Sequence, residues 1–109
     1  MDNFYLIDLY DIYGELLTDK QRNYFEDYYF DNLSLQEISE NYNISRNAVH
    51  NSLKDVKEKL ELYETKLNIY NKEKKIKEFV AKIQDKRIKE ELEKLIWEGW
   101  NYVWRNNIY

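Results

Sequence analysis

Residues 34–53 have the pattern of two capped helices joined by a tight turn, and no other pattern in the chain limits its architecture as much. Ser34 is followed three residues later by Glu37, a capping box in which each side chain accepts a hydrogen bond from an orphan backbone amide of the first turn. The apolar face of this first helix is predicted to consist of Leu35, Ile38 and Tyr42. A helix over about 35–42 follows from this pattern.

A turn is predicted at Asn43, because Asn tolerates a left-handed backbone better than any residue except Gly. Ile44 follows as a buried apolar residue, and Ser45 can cap a second helix. The inward face of the second helix is predicted to consist of Ala48, Val49, Ser52 and Leu53. Together these features indicate a helix-turn-helix, and an ordinary helical hairpin with a polar second helix is the alternative interpretation.

The outward face of the second helix carries short polar or basic side chains, which suit contacts with base edges and phosphates. This face is predicted to consist of Arg46, Asn47, His50, Asn51 and Lys54. The spacing therefore points to a nucleic-acid-binding surface.

The composition favours an all-α protein, because 109 residues contain no proline and only two glycines. Cysteine is absent, which excludes disulfides and thiolate metal sites, and one histidine cannot build a zinc site alone. A Gly-rich phosphate loop and a nucleophile beside a histidine are also missing from the sequence. We expect a noncatalytic protein with no catalytic residues, no metal and no other cofactor.

The net charge of −4 is unevenly distributed along the chain. Residues 1–44 contain ten acidic and two basic side chains, whereas residues 45–109 contain eleven acidic and fifteen basic ones. An anionic partner would have to meet the second part, where Asp55 and Glu58 dilute the positive field. We therefore expect nucleic-acid binding to be weak and salt-sensitive.

The chain begins without a basic leader region, and no apolar run approaches the roughly 18 residues that a membrane-spanning helix needs. These features predict a cytoplasmic protein without membrane insertion.

Two further helices are predicted before the helix-turn-helix. Residues 3–17 have apolar side chains at helical spacing, and Gly14 weakens the end of that helix. Thr18 and Gln21 form a second capping box, which begins a helix with a broad aromatic face. That face, predicted to be core on which the helix-turn-helix rests, consists of Tyr24, Phe25, Tyr28 and Tyr29.

The second helix of the motif continues as a heptad seam, which predicts a long helix ending at about Tyr70 or Asn71. The seam consists of Val49, Leu53, Val56, Leu60, Tyr63, Leu67 and Tyr70. The amino-terminal helix, the carboxy-terminal helices or a second copy of the chain could cover it. Intramolecular packing is the first interpretation and a homodimer the second.

A charged link over 72–77 leads to extra carboxy-terminal helices, so the predicted domains are 1–72 and 73–109. The second domain is expected to pack on the first or to mediate self-association. It ends in Trp97, Trp100 and Trp104, which recur at steps of three and four. These tryptophans either form core and self-association contacts or anchor a foreign partner.

Several segments resemble region 4 of bacterial sigma factors: 17–22, the pair Tyr28-Tyr29, 34–39 and 44–49. The tyrosine pair, the short upstream helix and residues 62–67 are more similar to the YlxM family, which lies within that superfamily. The resemblance covers about residues 4–70 and implies a sigma-region-4-like helix-turn-helix with a long recognition helix. YlxM-like proteins are small cytoplasmic proteins of Gram-positive bacteria and mollicutes. Their genes neighbour those for components of the signal recognition particle, and they are described as regulators of that pathway.

By the same resemblance, the DNA-contacting positions of region 4 fall on Ser45, Arg46, Asn47, His50, Asn51 and Lys54. Asp55 departs from the basic residue that such proteins often carry, and the tryptophan-rich end is not part of the pattern. The first hypothesis is a regulator that binds duplex DNA, or alternatively RNA, with a signal recognition particle component as a further partner. The second is an interaction adaptor that holds a protein partner through its long helix and tryptophans.

Overall fold

The computed structural model describes residues 3–96, and the regular structure within this range is entirely helical. Helix α1 spans Asn3–Tyr13 and is followed by a 3-10 turn, Gly14–Leu16; the remaining helices are α2 (Asp19–Tyr29), α3 (Leu35–Tyr42), α4 (Arg46–Leu67) and α5 (Ile69–Ala81). Residues 86–96 are also helical. The predicted all-α fold is confirmed.

The chain divides into two compact units, Met1–Leu67 and Asn68–Tyr109. The division follows Leu67, whereas the sequence suggested a boundary between 72 and 73. Asn68 has a left-handed backbone (φ 56°, ψ 30°), and this conformation interrupts the helical hydrogen-bond ladder between α4 and α5. The predicted continuation of the long helix to Tyr70 or Asn71 is therefore wrong.

Both predicted capping boxes are present. At the start of α2, Thr18 Oγ1 accepts from the Gln21 amide at 3.2 Å, and Gln21 Oε1 accepts from the Thr18 amide at 3.1 Å. At the start of α3, both reciprocal bonds between Ser34 and Glu37 are 3.0 Å long. Each box satisfies two amides that have no partner within the helix, which fixes where the helix begins.

Helices α1, α2 and α3 of the first unit all pack against α4. The largest fully buried side chains are Tyr13, Phe25, Leu6, Leu9, Ile38, Leu60, Val49 and Val56. At the carboxy-terminal end of the seam, the Tyr13 hydroxyl donates to Glu64 Oε1 at 2.6 Å, and its ring lies 6.0 Å from that of Tyr63. The seam of α4 is thus covered within the chain from Val49 to Leu60 by α1, α2 and α3, as the first interpretation expected, whereas Leu67 is exposed.

The aromatic face of α2 is only partly core. Tyr24 and Phe25 are buried, but Tyr28 is exposed and Tyr29 is half-buried, so the prediction that all four form the core is wrong for Tyr28. Tyr10 of α1 stacks on Phe25 with ring centroids 4.2 Å apart, and its hydroxyl donates to a Glu26 carboxylate oxygen. Burial and this hydrogen bond raise the pKa of Tyr10 above its usual value.

In the second unit, residues 82–85 separate α5 from the helical run 86–96. Asp85 Oδ1 accepts from the Ile88 amide at 3.1 Å, an N-cap contact that begins this run. The residues Trp97, Trp100 and Trp104 lie outside the described residues.

Candidate nucleic-acid interface

The turn between α3 and α4 depends on the left-handed backbone of Asn43 (φ 53°, ψ 47°), as its residue type predicted. The Asn43 amide donates to the Glu40 carbonyl at 3.3 Å, and the next amide, of Ile44, donates to the Ser39 carbonyl at 3.0 Å. Ser45 Oγ then accepts from the Ala48 amide at 3.0 Å and caps α4. The two helices of the motif are therefore joined by three residues whose polar groups make defined bonds.

The motif is fixed to the rest of the unit by a cluster of Tyr24, Ile38 and Val49. Ser39 is also buried at this crossing, and its hydroxyl donates to the Gln36 carbonyl at 2.7 Å, so the small polar group is satisfied locally. Partly buried apolar side chains surround the cluster, namely Leu33, Leu35, Ile44 and Leu53. This packing sets which side of α4 can face a ligand.

Tyr42 has a different role from the one predicted for it on the apolar face of α3. Its ring packs edge-on against Tyr24 with centroids 4.9 Å apart, while its hydroxyl reaches Asp27 Oδ2 at 3.0 Å. Partial desolvation and this hydrogen bond raise the pKa of the Tyr42 hydroxyl. Tyr42 therefore connects α3 to α2 through a ring contact and a hydrogen bond, a role that its position on the helix alone did not indicate.

All the predicted contact residues are exposed: Ser45, Arg46, Asn47, His50, Asn51 and Lys54. The buried row of α4 contains Val49, Val56 and Leu60. At about 3.6 residues per turn, Asn47 and Asn51 lie on the side directly opposite this row. The structure thus brings the six residues together on the first turns of one helix.

A second part of this surface is a flank formed by Arg46, His50 and Lys54, which follow one another at steps of four. Neither Arg46 nor Lys54 forms an ion pair with a carboxylate of residues 3–96. Asp55 is exposed on the opposite flank. The first two turns of the surface therefore have an uncharged centre, with Arg46 on one side of it and Lys54 at its carboxy-terminal end.

Ala48 is the one inward position that the sequence prediction placed wrongly, since it is exposed. It lies about a quarter-turn of the helix away from Val49, beyond the edge of the core. Sequence reasoning missed it as a surface residue because a methyl group is compatible with either environment.

Neither a metal centre nor a membrane span emerges from the described residues. Between residues 3 and 96, no three His, Cys, Asp or Glu side chains are placed to hold a metal ion together. The helices in the same range are also too short or too polar to cross a bilayer.

Comparison with protein families decides what kind of chain this is. The sequence pattern of the family described as "Putative helix-turn-helix protein, YlxM / p13 like" (UPF0122) matches residues 1–98. The chain belongs to this family. The match extends beyond the helix-turn-helix unit through α5 and the helical run 86–96, whereas Trp100 and Trp104 lie beyond it.

Relatives within the YlxM / p13-like family come from several bacteria. A UPF0122 protein of Oceanobacillus iheyensis is 44% identical over 91 residues, which cover 80% of this chain and 87% of that protein. A UPF0122 protein of Caldanaerobacter subterraneus is 45% identical over 84 residues, covering 77% of this chain and 72% of the relative. For a UPF0122 protein of Malacoplasma penetrans, the identity is also 45% over 84 residues, with coverages of 77% and 78%.

Proposed function

We propose that this protein is a noncatalytic regulator that binds duplex DNA through the outward face of α4. One observation carries the proposal: six exposed polar or basic residues occupy the cap and first turns of α4, from Ser45 to Lys54, while the opposite side of the same helix is buried. A helix presented in this way by a helix-turn-helix fits the major groove of B-DNA. Membership of a helix-turn-helix family supports the same proposal.

The expected affinity is low, because few cations face the ligand. Arg46 and Lys54 are the arginine and the lysine of the flank, and Asp55 lies close to them along the chain. Each phosphate contact contributes a slope of about −0.9 to the logarithmic dependence of affinity on salt. Two contacts give a slope of about −1.8, so affinity should fall roughly tenfold between about 50 and 200 mM salt.

Fluorescence anisotropy with a labelled duplex pool, measured from about 20 to 200 mM salt, tests the proposal. Arg46→Ala should make the salt slope shallower by about 0.9, so its loss of affinity is largest at the lowest salt. Lys20→Ala is the matched control, because Lys20 is an exposed lysine of α2 and does not belong to the candidate surface. An absence of duplex binding at about 20 mM salt, or an equal loss in the control, would contradict the proposal.

We extend the proposal to a place in the cell. The resemblance to YlxM-like proteins supports a cytoplasmic regulator associated with the signal recognition particle pathway, with a component of that particle as a partner. A pull-down from native lysate, analysed for both nucleic acid and protein, tests this association. Recovery of a particle component with the intact chain is expected, and recovery of nucleic acid without such a component would count against it.

A second candidate function, protein binding or self-association, is favoured by apolar side chains on the second unit. Phe79 and Leu95 are 69% and 66% exposed, and Ile76 and Ile88 are about half exposed. Exposed apolar residues of this size occur at interaction surfaces. Light scattering over micromolar concentrations should detect a homodimer that Phe79→Ser weakens. A monomer at every concentration would exclude self-association, and truncation after Lys94 would then test whether a foreign partner is lost from a folded chain.

A further inference from the structure

We propose that Asn47 and Asn51 select duplex DNA in which two adenines lie one or two base-pair steps apart. This inference rests on the proposed duplex binding and adds the sequence class that the site recognises. Both side chains are exposed at the centre of the candidate surface, one helical turn apart and opposite the buried row of α4.

The position of these two residues separates them from the cationic flank. Arg46 and His50 lie on one side of the helix and Lys54 lies beyond Asn51, where they would meet the sugar-phosphate backbone when α4 lies in the major groove. Asn47 and Asn51 would then face the floor of the groove, where the base edges are. The flank supplies affinity and register, and the two amides supply the sequence preference.

The chemistry of the carboxamide favours adenine. Its NH2 group donates to N7 while its carbonyl accepts from N6–H2, so one Asn pairs with both groups that adenine shows in the major groove. Guanine presents two acceptors there and is matched by Arg or Lys. The basic residues lie to one side of the two amides, at Arg46, or beyond them along the helix, at Lys54, so guanine is not favoured at the positions that Asn47 and Asn51 face.

The spacing of the two amides fits neighbouring base pairs. Side chains four residues apart on a helix have Cβ atoms about 5–6 Å apart, and successive base pairs rise about 3.4 Å. Two Asn side chains therefore reach bases separated by one or two steps.

Ala48 supports an A·T pair from the other strand. It is exposed three residues before Asn51, on the side of the helix opposite Arg46 and His50. A methyl group at such a position makes the apolar contact that suits the C5-methyl of thymine. An A-form RNA duplex has a major groove too deep and narrow for these short side chains, so the inference commits to DNA.

In vitro selection from a randomised duplex library tests the proposal with the full chain and two variants, Asn47→Ala and Asn51→Ala. The wild-type protein should enrich adenine at two positions, and each variant should lose the enrichment at one of them. The expected discrimination is about five- to 160-fold for each position. Both Asn residues are exposed and Ala is a better helix former, so the variants should stay folded.

Asn23→Ala is the matched control, since Asn23 is exposed on α2, and it should retain both preferences. The salt slope of both site variants should equal that of the wild type, because the amides carry no charge. A shallower slope would assign these residues to phosphate contacts and overturn the inference.

A second measurement uses the selected duplex with 7-deazaadenine at one position, which removes the N7 acceptor and keeps base pairing. This change should weaken wild-type binding several-fold and leave the matching Ala variant unaffected. Duplex binding without an adenine preference, or indifference to the missing N7 atom, would overturn the inference and leave the proposed function standing. Failure to bind any duplex at low salt would overturn both.

Discussion

Asn43 offers a quantitative test of how the turn holds the two helices of the motif. Its backbone is left-handed (φ 53°, ψ 47°), a conformation that costs a residue with a Cβ atom about 1–2 kcal/mol and that Asn tolerates at lower cost. Replacing it with Ala should therefore lower the free energy of unfolding by about 1 kcal/mol. For a domain of about 60–100 residues, this corresponds to a fall of about 4–8 °C in the unfolding midpoint.

The comparison with Asn43→Gly separates backbone strain from loss of the side chain. Gly adopts this backbone without strain, but it adds about 0.5–1 kcal/mol of conformational entropy to the unfolded chain. The Asn43→Gly variant should therefore be more stable than the Ala variant and close to the wild type in stability. Asn41→Ala, at an exposed position within α3, is the control and should be neutral or slightly stabilising.

Urea unfolding followed by far-ultraviolet circular dichroism measures all three variants on one scale. If Asn43→Ala proved as stable as Asn41→Ala, the strain assigned to the turn would not exist.

Three further predictions test the support of the site and its electrostatics. A Cβ at Gly14 would lie 3.0 Å from the Tyr10 ring, so Gly14→Ala should lower the free energy of unfolding by about 1–3 kcal/mol and the thermal unfolding midpoint with it. An unchanged thermal midpoint would show that the ring moves aside freely. Hydrogen bonds from Ser34, its capping partner, lower the pKa of Glu37, so the contribution of Glu37 to stability is present above about pH 4.5 and is lost as the pH falls through the lowered pKa. Glu37→Gln should therefore make the free energy of unfolding less dependent on pH in this acid range. An equal pH dependence in the variant and the wild type would refute this assignment. Asp55 is exposed beside the candidate surface, so Asp55→Asn should raise duplex affinity a few-fold at low salt in an anisotropy titration, and weaker binding would mean that the carboxylate contacts the ligand favourably.

Local signals in the sequence predicted the helix starts and the turn. The caps at Thr18, Ser34 and Ser45 each depend on a hydrogen bond to a residue only three positions away, so residue type and spacing are sufficient to identify them. The signal for the turn at Asn43 was equally local, because an Asn residue adopts a left-handed backbone at lower cost than other residues with a Cβ atom. The exposure of the contact residues followed from helical periodicity alone.

The end of α4 was missed because two signals conflicted. Apolar periodicity continues through Leu67 to Tyr70, but the backbone turns left-handed at Asn68 and ends the helix. The same residue type had marked the turn at Asn43, so the signal was present and the apolar pattern outweighed it. Periodicity reports which side chains could share a face, and it does not report whether the backbone stays helical between them.

Contacts distant in sequence were beyond sequence reasoning. The buried hydrogen bond from Tyr13 to Glu64 joins residues 51 positions apart, and nothing in either segment identifies the other as its partner. The exposure of Tyr28 likewise depends on which helices reach α2, a property of the assembled unit. For the site, the sequence indicated which residues take part. That Asn47 and Asn51 lie at the centre of the outward face could be stated only once the buried side of α4 was known.

The most direct test of the account is a duplex titration of the isotope-labelled chain, followed by its assigned backbone amide resonances. We predict that the largest shifts lie on residues 45–55, in the cap and first turns of α4, with smaller changes at the preceding turn. Shifts concentrated on α1 and α2 or on residues 68–96, with α4 unaffected, would contradict the claim that the outward face of this helix binds the ligand.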